Sequence, residues 1–397
     1  MKTNTKALIL LSTAHLITDI AQGSVPALLP FFKEALHLSY TSAGVILLVN
    51  QLTSSFIQPA FGYVSDRHPM GWFLPFTPFI AGFGIAISGL MNSYFPLLLC
   101  IILGGIGISS FHPEAFKTAH FFLGKKKTTG FSFVMVGGNG GIALGPICAI
   151  ALVTTYGLKG TLGLMIPGIV MSVILLFSIS WLTGPVRSAF LKRKQEPKQP
   201  LSKSEFRGLG VLVGVVTIRS WIQAGLVSYI PFYYIDYLKG DPLYAGKLVS
   251  TFLLAGAVGS IFGGALADWL GNRRFLLITM IVLTPLLILF YNVGGLTAYI
   301  CLAIAGVLLI STITVTTVMG QMLLPQHLGM VSGLMVGFSV GVSGIGVTLL
   351  GAVADTWGVP VAMKAVILLP VVGLLVTLPV KDSLKRGPTD PIPAERG

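Results

Sequence analysis

The sequence predicts an all-α membrane protein in which twelve transmembrane helices form two pseudo-symmetric bundles of six. Three observations indicate this architecture. Hydrophobic residues make up 54% and charged residues 10% of the 397 residues, a composition far from that of soluble domains. Apolar runs of about 20 residues, the length that crosses a bilayer as a helix, recur between short polar breaks. Segments of the first and second parts of the chain also match at a nearly constant offset.

The polar breaks divide the chain into twelve candidate spans. Lipid offers the backbone no hydrogen-bond partners, so spanning segments must be helices or closed barrels, and these runs carry too little alternation for barrel strands. We therefore expect helices at 7–32, 42–64, 72–91, 94–116, 130–155, 161–183, 209–235, 244–267, 275–291, 296–319, 331–354 and 359–380.

The basic residues predict the orientation, since Lys and Arg near span ends are retained on the cytoplasmic side. With a cytoplasmic N-terminus, twenty of the 26 basic residues lie inside, four outside and two within spans. Both termini are therefore expected in the cytoplasm, and this topology accounts for the formal net charge of +13. No loop is long enough for a basic domain that would bind nucleic acid. Cys100, Cys148 and Cys301 lie in apolar spans and predict no disulfide framework.

An internal repeat relates the two parts of the chain. Matching segments occur in the first, second and fifth helices of each part, at offsets of 201, 202 and 200 residues. The matched residues are Gln22, Pro30, Phe31 and Phe32 with Gln223, Pro231, Phe232 and Tyr233; Gly62 and Asp66 with Gly264 and Asp268; and Ser132, Met135, Val136, Gly137 and Gly141 with Ser332, Met335, Val336, Gly337 and Gly341.

The longest polar break lies between the two repeats and predicts a linker. It is rich in Lys, Arg, Gln and Pro. We therefore expect an N-terminal six-helix bundle at 1–183, a cytoplasmic linker at 184–208, and a C-terminal six-helix bundle with a short cytoplasmic tail at 209–397.

A charged segment follows the second helix of each repeat. The later copy, from Gly264 to Arg274, resembles the cytoplasmic signature of the major facilitator superfamily, and the earlier copy, from Gly62 to Arg67, is a shortened version. An Asp at a helix end can pair with Arg and with backbone N–H groups of a neighbouring helix. We expect a cytoplasmic gate made of Asp66, Arg67, Asp268, Arg273 and Arg274; the alternative is a loop that only obeys the positive-inside rule.

Two ionisable residues lie deep in symmetry-related helices, where a charge costs about 2.5–3.5 kcal/mol even on lenient scales. Asp19 lies about 13 residues into the first helix, with His15 and Gln22 on the same helical face, and Arg219 lies about ten residues into the seventh, with Gln223 on its face. We expect Asp19 and His15 to couple protons, and Arg219, Gln22 and Gln223 to bind substrate. Asp19 and Arg219 could pair across a central cavity; the alternative is a static buried ion pair.

The fourth helix carries a second candidate group, Phe111-His112-Pro113-Glu114-Ala115. His112 and Glu114 are two residues apart and do not share a helical face, which argues against a metal site. Because histidine titrates near neutral pH, His112 could relay protons, and we include Glu114 with it. The alternative is a kinked helix end with solvated charges, in which Glu114 pairs with Lys117.

Small residues and tyrosines complete the candidate sites. Gly137, Gly141, Gly145 and Pro146 allow close helix packing and a bend in the fifth helix. Tyr229 and Tyr233 of the seventh helix are candidates for substrate contact or, alternatively, for an interfacial aromatic belt.

Together these motifs resemble the fosmidomycin resistance protein family of the major facilitator superfamily. They are His15, Asp19, Gln22 and Leu28-Leu29-Pro30 of the first helix, Phe111 to Ala115 of the fourth, and the glycines of the fifth. The resemblance implies a multi-pass transporter of the bacterial inner membrane that exports a small anionic phosphonate in exchange for protons, and we expect it to be a monomer. General drug antiporters often have an Arg in the fourth helix, which this chain lacks, so broad multidrug export is less supported.

Other classes of function are less consistent with the sequence. An importer or uniporter of organic anions on the same fold differs only in the direction or coupling of flux. An enzyme would need a reactive constellation such as H-E-x-x-H or G-x-S-x-G. The first pattern does not occur, and the second occurs once, at 337–341, inside a predicted transmembrane span and not at the strand-to-helix turn that such a nucleophile needs. We therefore expect no enzymatic activity, no cofactor and no metal.

Overall fold

The computed structural model describes residues 3–38, 40–68, 70–195 and 202–380, and the secondary structure of these residues is helical. The first half of the chain contains α1 (Thr5–Ala35), α2 (Tyr40–Gln51), α3 (Gln58–Arg67), α4 (Thr77–Ser88), α5 (Tyr94–His120), α6 (Lys127–Tyr156) and α7 (Met165–Gln195). The second half contains α8 (Lys203–Pro231), α9 (Pro242–Leu270), α10 (Asn272–Asn292), α11 (Gly295–Leu323), α12 (Leu328–Ser332), α13 (Ser339–Trp357) and α14 (Val359–Thr377).

Short helices of other types interrupt this pattern. Among the described residues, three π-helices occupy Leu52–Phe56, Phe232–Tyr237 and Gly333–Phe338, and two 3₁₀-helices occupy Met70–Phe76 and Gly157–Leu164. π-Helical turns inside α-helices are rare and are often found at functional sites. The first π-helix lies between α2 and α3, in the predicted second span of its half, and the third lies between α12 and α13, in the predicted fifth span of its half.

Ten segments of the described residues are long and apolar enough to cross a membrane, against the twelve expected. One of them, Lys127–Leu191, has 65 residues and holds both α6 and α7. The predicted second span is not among the ten, because a turn at Ile57 divides it into shorter helices.

The predicted linker, 184–208, is helical at both of its ends. α7 continues to Gln195, and α8 begins at Lys203 behind a capping box in which Ser202 and Glu205 bond each other's backbone N–H groups. Residues 196–201 and the predicted tail, 381–397, lie outside the described residues.

Each half has its own apolar interior. In the first half, one cluster gathers around Leu11, Phe116 and Phe131 and also includes Val318 of the second half; another gathers around Leu28 and Ile85. In the second half, one cluster gathers around Phe252, Leu287 and Leu302, and another around Phe275 and Val331. Because lipid is as apolar as these side chains, close packing of helices contributes more to their association than removal from water.

The glycines of α6 illustrate that packing. A Cβ at Gly145 would lie 2.6 Å from the carbonyl oxygen of Ile20, and one at Gly141 would lie 2.9 Å from the Cβ of Asp19. A Cβ at Gly137 would overlap the backbone of Ser12. α6 therefore contacts α1 backbone to backbone along this face, and Pro146 follows it inside α6.

The two halves meet at the end of the molecule where α1 begins and α3 ends, which we call the terminal end. There α3 and α5 contact α12, and α6 contacts α9. Further from that end, the π-helices Leu52–Phe56 and Gly333–Phe338 contact each other, and the ring centroids of Phe56 and Phe338 are 5.9 Å apart. Residues of both halves therefore close the molecule from the terminal end towards its middle.

Candidate functional site

A buried carboxylate and two imidazoles form a cluster in the middle of the first half. Asp19 and His15 lie one turn apart on α1, and α5 brings His112 to the same point. The Oδ2 atom of Asp19 is 3.2 Å from Nε2 of His15, its Oδ1 atom is 3.1 Å from Nε2 of His112, and the two Nε2 atoms are 3.1 Å apart. We call these three residues the triad. All three are at most 3% exposed.

Neighbouring groups determine which ring nitrogens carry hydrogen. Nδ1 of His15 lies 2.8 Å from the carbonyl oxygen of Val134, which can only accept, so this nitrogen is a donor. Nδ1 of His112 lies 3.2 Å from Nε2 of Gln58, which also donates to the carbonyl of Ser54 at 2.7 Å. The amide therefore donates to His112, whose hydrogen lies on Nε2 and faces Asp19.

This assignment predicts that the triad holds one proton beyond those of two neutral imidazoles and a carboxylate. Without that proton, Nε2 of His15 and Oδ2 of Asp19 would be two acceptors 3.2 Å apart, and the buried cluster would carry a net charge of −1. With the proton, both contacts to Asp19 join a donor and an acceptor, and the net charge is zero. The two Nε2 atoms are then both donors, and each bonds Asp19 and not the other imidazole. Burial of a net charge is costly, so this geometry favours the protonated cluster.

The same atoms also satisfy a geometric condition for a metal site, since each residue of the triad offers one ligand atom within 4.8 Å of the others. A divalent cation would give the cluster a net charge of +1 in the apolar interior, whereas a proton leaves it neutral. The balance of charge therefore favours a proton over a divalent cation.

Aromatic rings and a glycine enclose the triad. The ring centroid of Phe116 is 5.2 Å from that of His15 and 5.5 Å from that of His112, and Phe111 packs on both imidazoles. A Cβ at Gly138 of α6 would overlap the ring of His15. Gln22, which the sequence places on the same face of α1, is half-buried.

Glu114 belongs to a separate buried network at the terminal end. Its Oε2 atom is 2.8 Å from Nζ of Lys117, and Ser65 of α3 bonds both side chains. Nζ of Lys117 also donates to the carbonyl of Ser65 at 3.0 Å. The pairing of Glu114 with Lys117 considered from the sequence is formed, but the two charges are buried rather than solvated.

The buried charge of the second half is Arg219, near the middle of α8. It is 3% exposed, and its guanidinium donates to Oε1 of Gln223 at 2.8 Å, to Oγ of Ser220 at 2.8 Å and to Oγ of Ser339 at 3.1 Å. Its Nε has no hydrogen-bond partner among the described residues. No carboxylate within the described part of the chain forms an ion pair with it, so its positive charge is hydrogen-bonded but not neutralised.

Asp19 and Arg219 therefore do not form the pair that their similar depth suggested. Each is held by groups of its own half: imidazoles around Asp19, and an amide and two hydroxyls around Arg219. The sequence did not identify Ser220 or Ser339. Ser220 is adjacent to an intramembrane charge, which is its only signal, whereas Ser339 lies 120 residues from Arg219 and has no local signal. Gln58 was also missed, although a glutamine in an apolar span is itself such a signal.

Two aspartates of the predicted gate join the halves at the terminal end. Asp66, at the end of α3, accepts hydrogen bonds from the N–H groups of Gly329 and Met330, both at 2.9 Å. These amides lie at the start of α12, where the helix dipole favours negative charge. Beside them, the backbones of Gly62 and Gly329 touch, and a Cβ at either position would clash.

The second aspartate makes the equivalent contact in the opposite direction. Asp268, near the end of α9, accepts hydrogen bonds from the N–H groups of Thr128 and Thr129 at 3.3 and 2.8 Å, and from Oγ1 of Thr129 at 2.6 Å. These residues begin α6 of the first half. The side chain of each aspartate thus caps a helix of the opposite half, and we call the two contacts the latches.

The arginines predicted for the gate lie beside the latches. Arg67 is exposed and stacks over the ring of Tyr63, 4.2 Å from its centroid. Arg273 donates to the carbonyls of Val380 and Leu378 at 2.6 and 3.0 Å, at the end of α14. Arg274 is exposed. The latch contacts are made by carboxylates and backbone amides, and the gating role of the three arginines stays a prediction.

The two tyrosines predicted to contact substrate lie inside the second half. Tyr229 and Tyr233 are 4% and 7% exposed and belong to its apolar cluster. Tyr233 stacks on Tyr237 and Tyr291, with centroid distances of 5.5 and 5.0 Å. Their assignment to a substrate site stays a prediction, and their surroundings are those of packed core residues.

Comparison with known proteins gives consistent matches. Residues 11–336 and, in a second match, 235–395 fit the model of the Major Facilitator Superfamily. The chain is 30% identical over 383 residues to the MFS-type transporter YfnC of Bacillus subtilis, which covers 96% of this chain and 94% of that protein. It is 30% identical over 367 residues to the fosmidomycin resistance protein of Escherichia coli, covering 92% and 90%. Its fold matches that of the MFS transporter FucP, solved in the outward conformation, with a TM-score of 0.72 at 16% identity, covering 93% and 97%.

Proposed function

This chain belongs to the major facilitator superfamily and is a relative of the fosmidomycin resistance protein, and from this premise we propose that it is a proton-coupled exporter of a small anion. The members of this family are membrane transporters and not enzymes. We propose that the substrate is a compound such as the phosphonate antibiotic fosmidomycin, and that it moves by alternating access.

The observation that carries this proposal is the separation of two buried sites of opposite character. The triad can take up or release a proton around a carboxylate, whereas Arg219 is a buried cation without a carboxylate partner among the described residues. A buried uncompensated charge is costly. A phosphonate oxygen would neutralise Arg219 and accept charge-assisted hydrogen bonds from it.

In the proposed cycle, the closed terminal end corresponds to the outward-facing, proton-loaded state. The likeness to FucP in its outward conformation and the protonated geometry of the triad support this assignment. Opening of the latches would expose the triad to the cytoplasm, where it releases its proton and the anion binds near Arg219. Gln22 and Gln223 would contact the rest of the substrate.

The proposed arrangement in the membrane follows the sequence prediction. Twelve crossings in two bundles of six, 1–183 and 209–397, would result if α6 and α7 cross separately and Tyr40–Arg67 crosses as a broken helix. Both termini would then be cytoplasmic, in a bacterial inner membrane. We propose that the protein acts as a monomer and needs no cofactor.

Transport in reconstituted liposomes tests the proposal. Fosmidomycin accumulation should require a pH gradient, acidic on the side that corresponds to the cell exterior, and should collapse when an ionophore removes the gradient. Transport that is unaffected by the pH gradient would exclude proton coupling. Net flux of fosmidomycin in the same direction as protons would indicate import instead of export.

A further inference from the structure

Gln58 lies between the triad and the surface at which the two halves meet. It is the first residue of α3, directly after the π-helix Leu52–Phe56 and the turn at Ile57, and is 2% exposed. We propose that Gln58 is the positioning residue that couples protonation of the triad to closure of the terminal end. This inference rests on the proposed function.

Within the first half, the amide of Gln58 orients His112. Its Nε2 donates to the carbonyl of Ser54 at 2.7 Å and faces Nδ1 of His112 at 3.2 Å. The bond to Ser54 fixes the rotation of the amide, because a carbonyl can only accept. Gln58 therefore keeps Nδ1 of His112 unprotonated and directs the hydrogen of Nε2 towards Asp19.

Across the interface, Gln58 packs against the π-helix Gly333–Phe338 at two glycines, Gly333 and Gly337, which have no Cβ. A Cβ at Gly333 would lie 2.6 Å from the carbonyl oxygen of Gln58 and 2.8 Å from the nitrogen of Pro59. A Cβ at Gly337 would lie 2.6 Å from Cβ of Gln58. The second half approaches α3 this closely because both positions are glycine, and Gln58 has no room to move while the terminal end is closed.

Loss of the extra proton puts these two sets of contacts in conflict. Nε2 of His15 and Oδ2 of Asp19 are then two acceptors that face each other. The hydrogen on Nε2 of His112 cannot bond fully to both Oδ1 of Asp19 and Nε2 of His15. Relief requires His112 to shift, but its other nitrogen is held by Gln58, which the second half confines. The deprotonated triad is therefore expected to destabilise the closed terminal end and to favour its opening.

The other charged groups near His112 bond to one another, so the triad is the proton site in this proposal. From α1 it faces His15 and Asp19. On α5, Glu114 and Lys117 pair with each other, and His120 bonds Oε1 of Gln321 on α11 at 2.9 Å. From α3 it faces the uncharged Gln58. Within the described part of the chain, the ion pairs of His112 are confined to Asp19.

The test measures how pH changes the population of the closed state. The background is a variant in which Cys100, Cys148 and Cys301 are replaced by Ala. Spin labels are attached at Lys125→Cys and Phe206→Cys, which are exposed at the terminal end, one in each half. The distance between the labels, measured by pulsed electron paramagnetic resonance, reports opening of the terminal end. Without further changes, we expect the ratio of closed to open molecules to fall at least about tenfold between about pH 5.5 and about pH 8, the range over which histidine titrates.

In Gln58→Ala, this response should shrink to about twofold or less, because the triad and the interface are no longer linked. Gln58→Glu keeps the shape of the side chain and adds an acceptor for a proton on Nδ1 of His112, so closure should persist to higher pH. This second variant carries the test if Gln58→Ala does not fold. Ser260→Ala is the matched control, because Ser260 is the repeat partner of Gln58 at the offset of 202 residues. Ser260 is 1% exposed, and among the described contacts its hydroxyl bonds only the carbonyl of Ala257 in its own helix. It should keep the full response.

Asp19→Asn separates this inference from the proposed function. A response that is flat in Asp19→Asn but intact in both Gln58 variants would overturn the role of Gln58 and leave the triad as the proton site. A response that persists in Asp19→Asn would overturn both. A parallel measurement of protons moved per fosmidomycin in liposomes should show a lower coupled ratio for Gln58→Ala and an unchanged ratio for Ser260→Ala.

Discussion

The first half buries a carboxylate between two imidazoles, and the second half buries a guanidinium between hydroxyls and an amide. Both charges lie near the middle of the first long helix of their half, yet their partners differ in chemistry. Around Asp19 the partners can gain or lose a proton themselves, whereas around Arg219 they can only orient a fixed charge. Similar scaffolds therefore hold one site whose charge can change and one whose charge cannot.

The latches show the opposite relationship between the halves. Asp66 and Asp268 are repeat partners, and each accepts two backbone N–H bonds from the start of a helix in the opposite half. The repeat has kept the contacts that join the two halves and diverged around the two buried charges, where we propose that one site takes up a proton and the other binds an anion. We therefore expect substitutions at Asp19 and Arg219 to have different effects, and substitutions at Asp66 and Asp268 to have equal effects.

The largest expected effect is that of Asp19→Asn, which removes the titratable carboxylate from the first half. A two-unit pH gradient can sustain roughly 100-fold accumulation in one-for-one exchange, and this variant should abolish it while fosmidomycin exchange continues. Liposomes with an imposed gradient measure the loss, and Asp355→Asn, an exposed carboxylate of the second half, is the control. Concentration of substrate by Asp19→Asn would contradict the assignment of proton coupling to the first half.

Replacement of Arg219 by Ala tests the second half. Hydrogen bonds to charged groups contribute about 1.5–3 kcal/mol, so fosmidomycin should bind roughly 10- to 100-fold more weakly. Arg219→Lys, which keeps the charge but loses the planar fork, should show a smaller loss. Titration calorimetry in detergent measures the affinity, and an unchanged value in Arg219→Ala would remove this residue from the anion site.

Equal effects are expected for the two latch variants, Asp66→Asn and Asp268→Asn. An amide can accept one of the two backbone bonds but sets its NH₂ against the other donor, so each variant should shift the closed-to-open ratio about five- to tenfold towards open. Spin labels at the terminal end measure the shift. A difference of more than about threefold between the variants would contradict duplicated latches.

The smallest effect is expected from Ser339→Ala, which removes one bond to Arg219. Because the guanidinium keeps Gln223 and Ser220, the cost of about 1 kcal/mol corresponds to roughly fivefold weaker fosmidomycin binding. Ser343→Ala is the control, since Ser343 lies one turn further along α13 and bonds the carbonyl of Val340 in its own helix. If both variants bind alike, Ser339 does not organise the anion site.

The fold was largely predictable because hydropathy and the repeat report helix length and order directly. Most of the predicted spans coincide with long apolar helices, but the second is divided into shorter helices, and hydropathy did not indicate the breaks. The π-helix Leu52–Phe56 lies inside an apolar run, and it contacts Gly333–Phe338, which is distant in sequence. The stretch 184–195 also continues α7, with Pro185 inside the helix. Most of its other residues are Ala, Leu, Lys, Arg and Gln, which favour helices.

The site was predictable in its residues but not in its pairings. Depth along a helix follows from sequence, whereas rotation about the helix axis depends on packing against other helices. Asp19 and Arg219 have matching depth but separate partners for that reason. The bond between His112 and Asp19 joins helices 93 positions apart along the chain, and no local pattern indicates it. Glu114 and Lys117, three residues apart, were predictable as a pair.

The backbone contact between Gly62 and Gly329 has a consequence for the passage of ions during each cycle. Dispersion attraction between touching backbones falls steeply once they separate by even an ångström. The closed terminal end is thus held within a narrow range of distances, and partly closed arrangements gain little from it. Switching between the two states is then expected to be abrupt. This shortens the time in which protons could cross the membrane through a continuous water path without transport of substrate.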